Sequence, residues 1–284
     1  MTERLNLAPE LRNYVRARTL LGTRVVYYDH GTGPALLLIH GMFGDFLDWE
    51  PVLAPLSETY RVVALDLPGF GESDKPDVRY SMEFFTEVLG TLAEELALQD
   101  VTVIGNSFGG ELAVILAAAR PEKVKALVLV STGGLTLRGE EELALIEKNF
   151  CEANLLALTP EYHELMFSPI FARRSEQARR YIEKQNRKLA RPDYNAYARV
   201  LAQCIPLAAR MDIRGYLAKL KCPTLLLWGE NDRVFPPVIA EEAVKRLAKG
   251  ELRVVPDAGH APQLDNPGEF VAELETFLAT KGLA

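Results

Sequence analysis

The chain alternates short apolar runs with segments of helical periodicity. An apolar run of about four to eight residues is typical of a strand buried on both faces of a parallel sheet. Such runs predict strands at 35–39, 60–66, 101–104 and 126–131, and later at 221–228 and 251–255. The patterns between them predict helices at 48–56, 81–96, 112–119, 238–247 and 268–278. This alternation favours a doubly wound, mostly parallel α/β sheet.

Two further strands are predicted at the start of the chain. Residues 13–29 contain two β-rich runs on either side of Leu21-Gly22-Thr23. Turn residues between two such runs favour an antiparallel hairpin, which we expect at one edge of the sheet. The sheet should therefore have eight strands.

The pattern changes from residue 133 to residue 218, where strand signals stop and only helical periodicity is left. We expect these residues to form a helical cap, inserted after the sixth strand. The core domain should then consist of residues 1–132 and 219–284. Several cap residues could roof an apolar pocket or form the cap's own core: Leu155, Leu156, Leu158, Met166, Phe167, Ile170 and Phe171.

One cap segment is strongly basic, and its cations are Arg173, Arg174, Arg179, Arg180, Lys184, Arg187, Lys188 and Arg191. Charges at this density usually form a solvated helix face, which is the favoured interpretation. The alternative is that one arginine enters the pocket and holds a substrate carboxylate.

Composition narrows the possible partners. The net charge of −7 argues against nucleic acid, because phosphate binding needs a basic surface. No apolar run approaches a membrane span and the N-terminus lacks signal-peptide features, so we expect a cytoplasmic protein without a membrane partner. Cys151, Cys204 and Cys222 are widely spaced, which favours reduced, mostly packing residues.

The strongest catalytic motif lies in residues 101–110, whose pattern predicts a buried strand, a turn of the form G-x-S-x-G and the start of a helix. Ser107 stands at the apex of this turn, where a strained backbone would lift its hydroxyl clear of the sheet. Gly105 and Gly109 are needed because side chains there would collide with the neighbouring strand and helix. The spacing predicts a nucleophile elbow. A glycine-rich turn with an ordinary serine cap is the alternative.

A serine needs a base and an acid beside it to become a nucleophile. Asp232 and His260 follow the last two predicted strands, and parallel strands would bring both to the edge that carries Ser107. The order Ser, acid, His predicts a catalytic triad of Ser107, Asp232 and His260. Glu230 is the rival for the acid; Asp232 is favoured because it lies deeper in its loop.

Two backbone amides could stabilise a developing oxyanion. Phe108 N–H lies at the start of the helix after Ser107, and Met42 N–H lies in the loop after the first parallel strand, with Phe43 N–H as its rival. Gly41 would let that loop approach a ligand closely. His40, just before it, is better explained as a residue that orders the loop than as a catalytic group.

These segments together resemble the α/β-hydrolase fold superfamily over nearly the whole chain: 40–45, 66–73, 105–109, 229–232 and 259–260. The resemblance implies the α/β-hydrolase fold in its serine-nucleophile branch. Branches that use an aspartate nucleophile are excluded by Ser107. Haloperoxidases and perhydrolases of this fold usually have Met after the serine, where this chain has Phe108.

We expect hydrolysis of a small carboxylic ester through an acyl-enzyme, with no cofactor and no metal. Gly41, Phe43 and Asn106 are expected to contact this small-molecule substrate. The stretch 105–110 also resembles carbon-carbon bond hydrolases of aromatic ring-fission products, in which Asn106 and a cap arginine would bind an anionic dienoate. Those enzymes usually have Trp after the catalytic histidine, where this chain has Ala261. A ligand receptor with the hydrolase fold is a third alternative, and a homodimer is left open.

Overall fold

A computed structural model describes residues 7–284. One sheet of eight strands runs through the molecule in the order β1-β2-β4-β3-β5-β6-β7-β8. The strands are β1 Val15–Leu20, β2 Thr23–His30, β3 Ala35–Ile39, β4 Arg61–Leu65, β5 Val101–Asn106, β6 Val124–Val130, β7 Thr224–Gly229 and β8 Gly250–Val255. β1 and β2 pair antiparallel at the edge, and β2 pairs antiparallel with β4. All pairs from β4 to β8 are parallel. The predicted sheet and its edge hairpin are confirmed.

Helices cover both faces of this sheet. Side chains along a strand point alternately to opposite faces, so β3 sends Leu37 and Ile39 into one hydrophobic cluster and Leu36 and Leu38 into another. The first cluster packs under α2 Met82–Glu95, α3 Phe108–Ala119 and α10 Val238–Val244. The second packs under α1 Glu50–Ser57 and α12 Pro267–Thr280. The continuous apolar sequence of β3 thus follows from its burial on both faces.

Between β6 and β7 the chain forms six helices: α4 Glu140–Asn149, α5 Glu152–Leu156, α6 Pro160–Phe167, α7 Glu176–Leu189, α8 Tyr194–Ala209 and α9 Arg214–Leu217. Short 3₁₀ helices lie at Pro9–Tyr14, Phe46–Trp49 and Ser168–Ile170, and α11 is Pro262–Asp265. In α8, Val200, Leu201 and Cys204 join the hydrophobic cluster of the core. The division into core residues 1–132 and 219–284 and cap residues 133–218 stays a prediction, because α8 shares that cluster.

Cysteine burial differs from residue to residue. Cys204 is buried, as a packing residue should be, whereas Cys151 is exposed and Cys222 is intermediate. All three are free thiols. None of the helices within residues 7–284 combines the length and the apolar character that a bilayer crossing requires.

Candidate active site

Ser107 lies at the corner between β5 and α3, at φ 53° and ψ −116°. A positive φ is uncommon for a residue with a side chain and costs on the order of 1–3 kcal/mol. Surrounding hydrogen bonds hold this conformation: Ser107 N donates to Val130 O at 3.0 Å, and Ser107 O accepts from Gly110 N at 3.0 Å and Gly133 N at 3.2 Å. The side chain of Ser107 is consequently presented at the carboxyl edge of the sheet.

The glycines beside Ser107 allow close packing of the backbone. A Cβ at Gly105 would overlap the carbonyl oxygen of Gly109. A Cβ at Gly109 would overlap the carbonyl oxygen of Ile39, at the end of the neighbouring strand β3. The elbow can therefore sit against β3 only because both positions lack a side chain.

The structure places His260 and Asp232 in direct contact. His260 Nδ1 lies 3.0 Å from Asp232 Oδ2, and both side chains are buried. Asp232 Oδ1 accepts hydrogen bonds from Val234 N at 2.8 Å and Phe235 N at 2.9 Å, which fixes the carboxylate. With Nδ1–H donating to the carboxylate, His260 Nε2 is the nitrogen with a free lone pair.

Glu230, the rival acid, is exposed and accepts a hydrogen bond from Asp257 N at 3.3 Å. It therefore sits on the outer side of the loop, while Asp232 occupies the buried inner side.

Asn106 ties the Ser107 strand to the His260 loop. Its Nδ2 donates to Val130 O and to His260 O, both at 3.1 Å, and its side chain is buried. Both N–H groups of this amide are consequently used by the backbone. These contacts let Asn106 position His260, and the expected contact of Asn106 with substrate stays a prediction.

In the described chain, no hydrogen bond joins Ser107 Oγ to His260 Nε2. Catalytic hydrogen bonds are often long without substrate and shorten in the reactive complex. Both side chains nevertheless stand at one edge of the sheet, because β5, β7 and β8 are parallel.

The expected oxyanion donors flank Ser107. A Cβ at Gly41 would lie 3.2 Å from Ser107 Cβ, so this loop runs directly against the elbow. Phe108 is the first residue of α3, where an amide has no acceptor within the helix. Within residues 7–284, neither Met42 N nor Phe108 N donates a hydrogen bond. Both N–H groups are thus free to donate beside the serine; Phe43 N, the rival of Met42 N, also donates no hydrogen bond within these residues.

Phe43 contributes an aromatic ring beside this loop. Its ring packs edge-on against Phe167 at 5.3 Å between centroids and lies 6.5 Å from Phe150. Met166 and Ile170 are partly buried in the same cluster. An apolar surface therefore covers the side of the site next to Met42, formed by core and cap residues together.

His40 is fully buried beneath the loop. Its Nδ1 lies 2.8 Å from Gly41 O, and its Nε2 accepts a hydrogen bond from Leu67 N at 3.1 Å. Desolvation by burial lowers the pKa of His40 to about 4, so the ring is neutral at pH 7. Both ring nitrogens have partners in the backbone, which fits the loop-ordering role expected for this residue.

The loop 66–73 is also held by a buried side chain. Asp66 Oδ1 accepts from Phe46 N at 2.8 Å and Oδ2 accepts from Glu72 N at 2.7 Å. Burial, followed by the charge of nearby Asp45, raises the pKa of Asp66 to about 7. Asp66 thus joins the loop after β4 to the loop after β3.

The expectation of a solvated basic face is wrong for two of the eight cap cations. Lys184 Nζ pairs with Asp45 at 2.8 Å and Asp48 at 2.5 Å, and Lys188 Nζ pairs with Asp45 at 3.1 Å. The side chains are only 15% exposed for Lys184 and 10% for Lys188. Sequence reasoning missed this cluster. The local pattern offered no signal for it, because two lysines four residues apart on a basic helix are equally typical of a solvated face.

The two acids and the two lysines form one buried cluster of opposite charges, in which burial lowers the pKa of Lys188 and raises the pKa of Asp48. Burial alone would lower the pKa of Lys184, but the adjacent carboxylates outweigh it and raise that pKa above its usual value. The two lysines likewise hold the pKa of Asp45 well below its usual range, although burial opposes them. Since unpaired charges are costly in a protein interior, these pairs join α7 to the segment 45–48.

Comparison with known proteins adds relatives and structural neighbours. Lipase 1 of Psychrobacter immobilis is 30% identical over 272 residues, covering 90% of this chain and 81% of that protein. The 2-hydroxymuconate semialdehyde hydrolase of Pseudomonas sp. strain CF600 is 26% identical over an alignment that includes 91% of this chain and 91% of that protein. A thermophilic esterase from Thermogutta terrifontis superposes with a TM-score of 0.80 at 25% identity, over 94% of this chain and 98% of its own.

A family model described as the alpha/beta hydrolase fold matches residues 34–267. The match begins just before β3 and ends where α12 begins, so it includes the elbow, the cap and the loops that carry Asp232 and His260. Since it extends over most of the sequence and agrees with the observed sheet, the chain belongs to the α/β-hydrolase fold family.

Proposed function

We propose that this protein is a serine hydrolase that cleaves a small carboxylic ester through an acyl-enzyme. The observation that carries the proposal is the 3.0 Å contact of His260 Nδ1 with buried Asp232, on the same sheet edge as Ser107. A carboxylate on Nδ1 keeps the proton there and leaves Nε2 to act as a base. Esterase and lipase relatives support an ester as substrate.

In the first half of the reaction, His260 Nε2 takes the proton of Ser107 as Oγ attacks the ester carbonyl. The Met42 and Phe108 amides donate to the resulting oxyanion. His260 then returns the proton to the alcohol as it leaves, and the acyl group stays on Ser107. Water attacks the acyl-enzyme by the same sequence, releasing the acid and restoring Ser107.

The apolar cluster around Phe43 favours an ester with an apolar acyl or alcohol part. Partly buried apolar side chains around a few polar groups are the usual composition of a small-molecule pocket.

Labelling by a fluorophosphonate, followed by intact mass, tests the proposal together with turnover of a series of p-nitrophenyl esters. We expect one label per chain and ester turnover in the wild type. Ser107→Ala should lose both while keeping its melting temperature within a few degrees. Labelling that persists in Ser107→Ala, or undiminished turnover by this folded variant, would refute the assignment.

Carbon-carbon bond hydrolysis is the second candidate, supported by the similarity to a 2-hydroxymuconate semialdehyde hydrolase. The buried cations of α7 are less suited to hold a dienoate, because Lys184 and Lys188 are already paired with Asp45 and Asp48. Turnover of a ring-fission dienoate that exceeds ester turnover would favour this candidate. Labelling without turnover of either substrate would favour a receptor.

A further inference from the structure

The carbonyl of Phe43 is held by two donors from the cap. Lys188 Nζ on α7 donates to Phe43 O at 2.6 Å, and Tyr197 Oη on α8 donates to the same oxygen at 3.2 Å. Phe43 itself has a positive φ of 63°, which is uncommon for an aromatic residue. A strained backbone persists only where its surroundings hold it. The cap therefore supplies part of what holds the loop 41–44.

The peptide group between Phe43 and Gly44 connects the cap donors to Gly41. In a planar trans peptide the C=O and N–H bonds point in opposite directions. The peptide of Phe43 O and Gly44 N is held by Lys188 and Tyr197 at its oxygen, and its Gly44 N–H donates to Gly41 O at 3.1 Å. The position of Gly41 O thus depends on the cap.

Gly41 O belongs to the same peptide as Met42 N–H. This oxygen also lies 2.8 Å from His40 Nδ1, so it is held from the core and, through Gly44, from the cap. Planarity then sends Met42 N–H away from His40. The oxyanion donor is consequently aimed by hydrogen bonds made to the carbonyl of its own peptide unit.

We propose that Lys188 acts through two peptide units on Met42 N–H, so that the oxyanion hole is complete only while the cap is seated. This inference rests on the proposed function. Lys188, Phe43 O, Gly44 N–H, Gly41 O and Met42 N–H form a hydrogen-bonded relay that starts at a cation. Hydrogen bonds in a chain polarise one another, so the ammonium group makes Met42 N–H a stronger donor as well as a fixed one.

The charge at the start of the relay is itself held in place. Lys188 pairs with Asp45, which also accepts from Leu47 N and pairs with Lys184. Because the cluster is shared between α7 and the loop after β3, movement of α7 away from the core would separate these charges and at the same time withdraw the Lys188 donor from Phe43 O. Lys188 and Tyr197 are positioning residues, since they act through the loop.

Kinetics of Lys188→Met and Tyr197→Phe test the relay, with Arg187→Met as the matched control on the same helix. Arg187 is exposed. Loss of one oxyanion donor costs roughly 10²–10³ in kcat, and here the donor is loosened rather than removed. We expect Lys188→Met to lower kcat about 10- to 100-fold with KM changed less than about threefold. Tyr197→Phe should have a smaller effect, and Lys188→Arg should restore most of kcat.

Inhibitor binding distinguishes the relay from general damage to the fold. A trifluoromethyl ketone forms an oxyanion on Ser107, so its affinity should fall in parallel with kcat. A substrate-shaped competitive inhibitor without a reactive carbonyl should bind as in the wild type. Equal losses for both inhibitors, or equal kcat for Lys188→Met and Arg187→Met, would overturn the proposal.

Amide hydrogen exchange tests the relay without requiring turnover. Exchange of Gly44 N–H, which donates to Gly41 O, should accelerate in Lys188→Met and Tyr197→Phe and stay unchanged in Arg187→Met. Tyr197→Phe serves if Lys188→Met fails to fold, because it leaves the ion pairs intact. Unchanged exchange at Gly44 overturns the relay whether or not the esterase assignment stands. A wild type that neither labels nor turns over esters refutes the proposed function alone.

Discussion

Replacing Asp232 by asparagine should invert the tautomer of His260. Asp232 Oδ1 accepts two backbone N–H groups, from Val234 and Phe235, and Oδ2 faces His260 Nδ1 at 3.0 Å. An asparagine has a single acceptor oxygen, which the two N–H groups would retain. Its amide nitrogen would then donate to His260 Nδ1 and leave the imidazole proton on Nε2. A histidine in that state cannot accept the proton of Ser107.

The size of the effect follows from comparing the two orientations of the asparagine side chain. In the flipped orientation, the asparagine oxygen would face His260 and its NH₂ group would face the N–H groups of Val234 and Phe235. Each of these two N–H groups would then lack an acceptor, which costs about 1–3 kcal/mol per donor. The asparagine therefore keeps its oxygen on the two N–H groups and its nitrogen on His260 Nδ1, so the imidazole proton moves to Nε2. A wrong tautomer in a serine triad lowers kcat by roughly 10³- to 10⁴-fold, which is about 4–5 kcal/mol in the barrier.

Steady-state turnover of a p-nitrophenyl ester by wild type, Asp232→Asn and Glu230→Gln measures this effect. Glu230 is exposed and bonds only weakly to Asp257 N, so Glu230→Gln should keep kcat within about twofold. Thermal melting verifies that each variant is folded. A folded Asp232→Asn that retains more than a tenth of wild-type kcat, or a Glu230→Gln that loses as much kcat as Asp232→Asn, would contradict this role of Asp232.

Two further substitutions test the positioning of the site. Asn106→Ala should lower kcat with little change in KM, because it frees His260 O and Val130 O rather than a substrate contact; a rise in KM alone would instead support substrate binding by Asn106. Asp66→Asn should change the pH dependence of stability, measured by urea unfolding. The folded pKa of Asp66 is about 7 against an ordinary 3.8, so the stability it contributes is present at low pH and is lost as the pH rises toward 7. Relative to wild type, the variant should therefore gain up to about 4 kcal/mol of unfolding free energy between pH 4 and pH 7.5, and a constant difference would refute this account.

The sequence by itself determined the parallel sheet and the edge of the sheet at which the predicted catalytic residues lie. A strand that is apolar at every position, such as 35–39, is stable only when both of its faces are buried. The alternation of such strands with helical segments therefore predicted a doubly wound sheet. The G-x-S-x-G turn likewise has one compact solution, because its glycines leave room for adjacent backbone. The parallel direction of the strands then places the loops of Ser107, Asp232 and His260 at one edge.

Only the tertiary structure decided how side chains far apart in the sequence are used. The sequence predicts a substrate contact for Asn106, and only the tertiary structure shows that its amide also donates to the carbonyl of His260. Lys184 and Lys188 on a strongly basic helix are indistinguishable by local pattern from a solvated face. Their burial depends on Asp45 and Asp48, more than 130 positions earlier in the chain. Local periodicity carries no information about such partners, because a charge is stable inside a protein only where the fold brings a compensating charge to it.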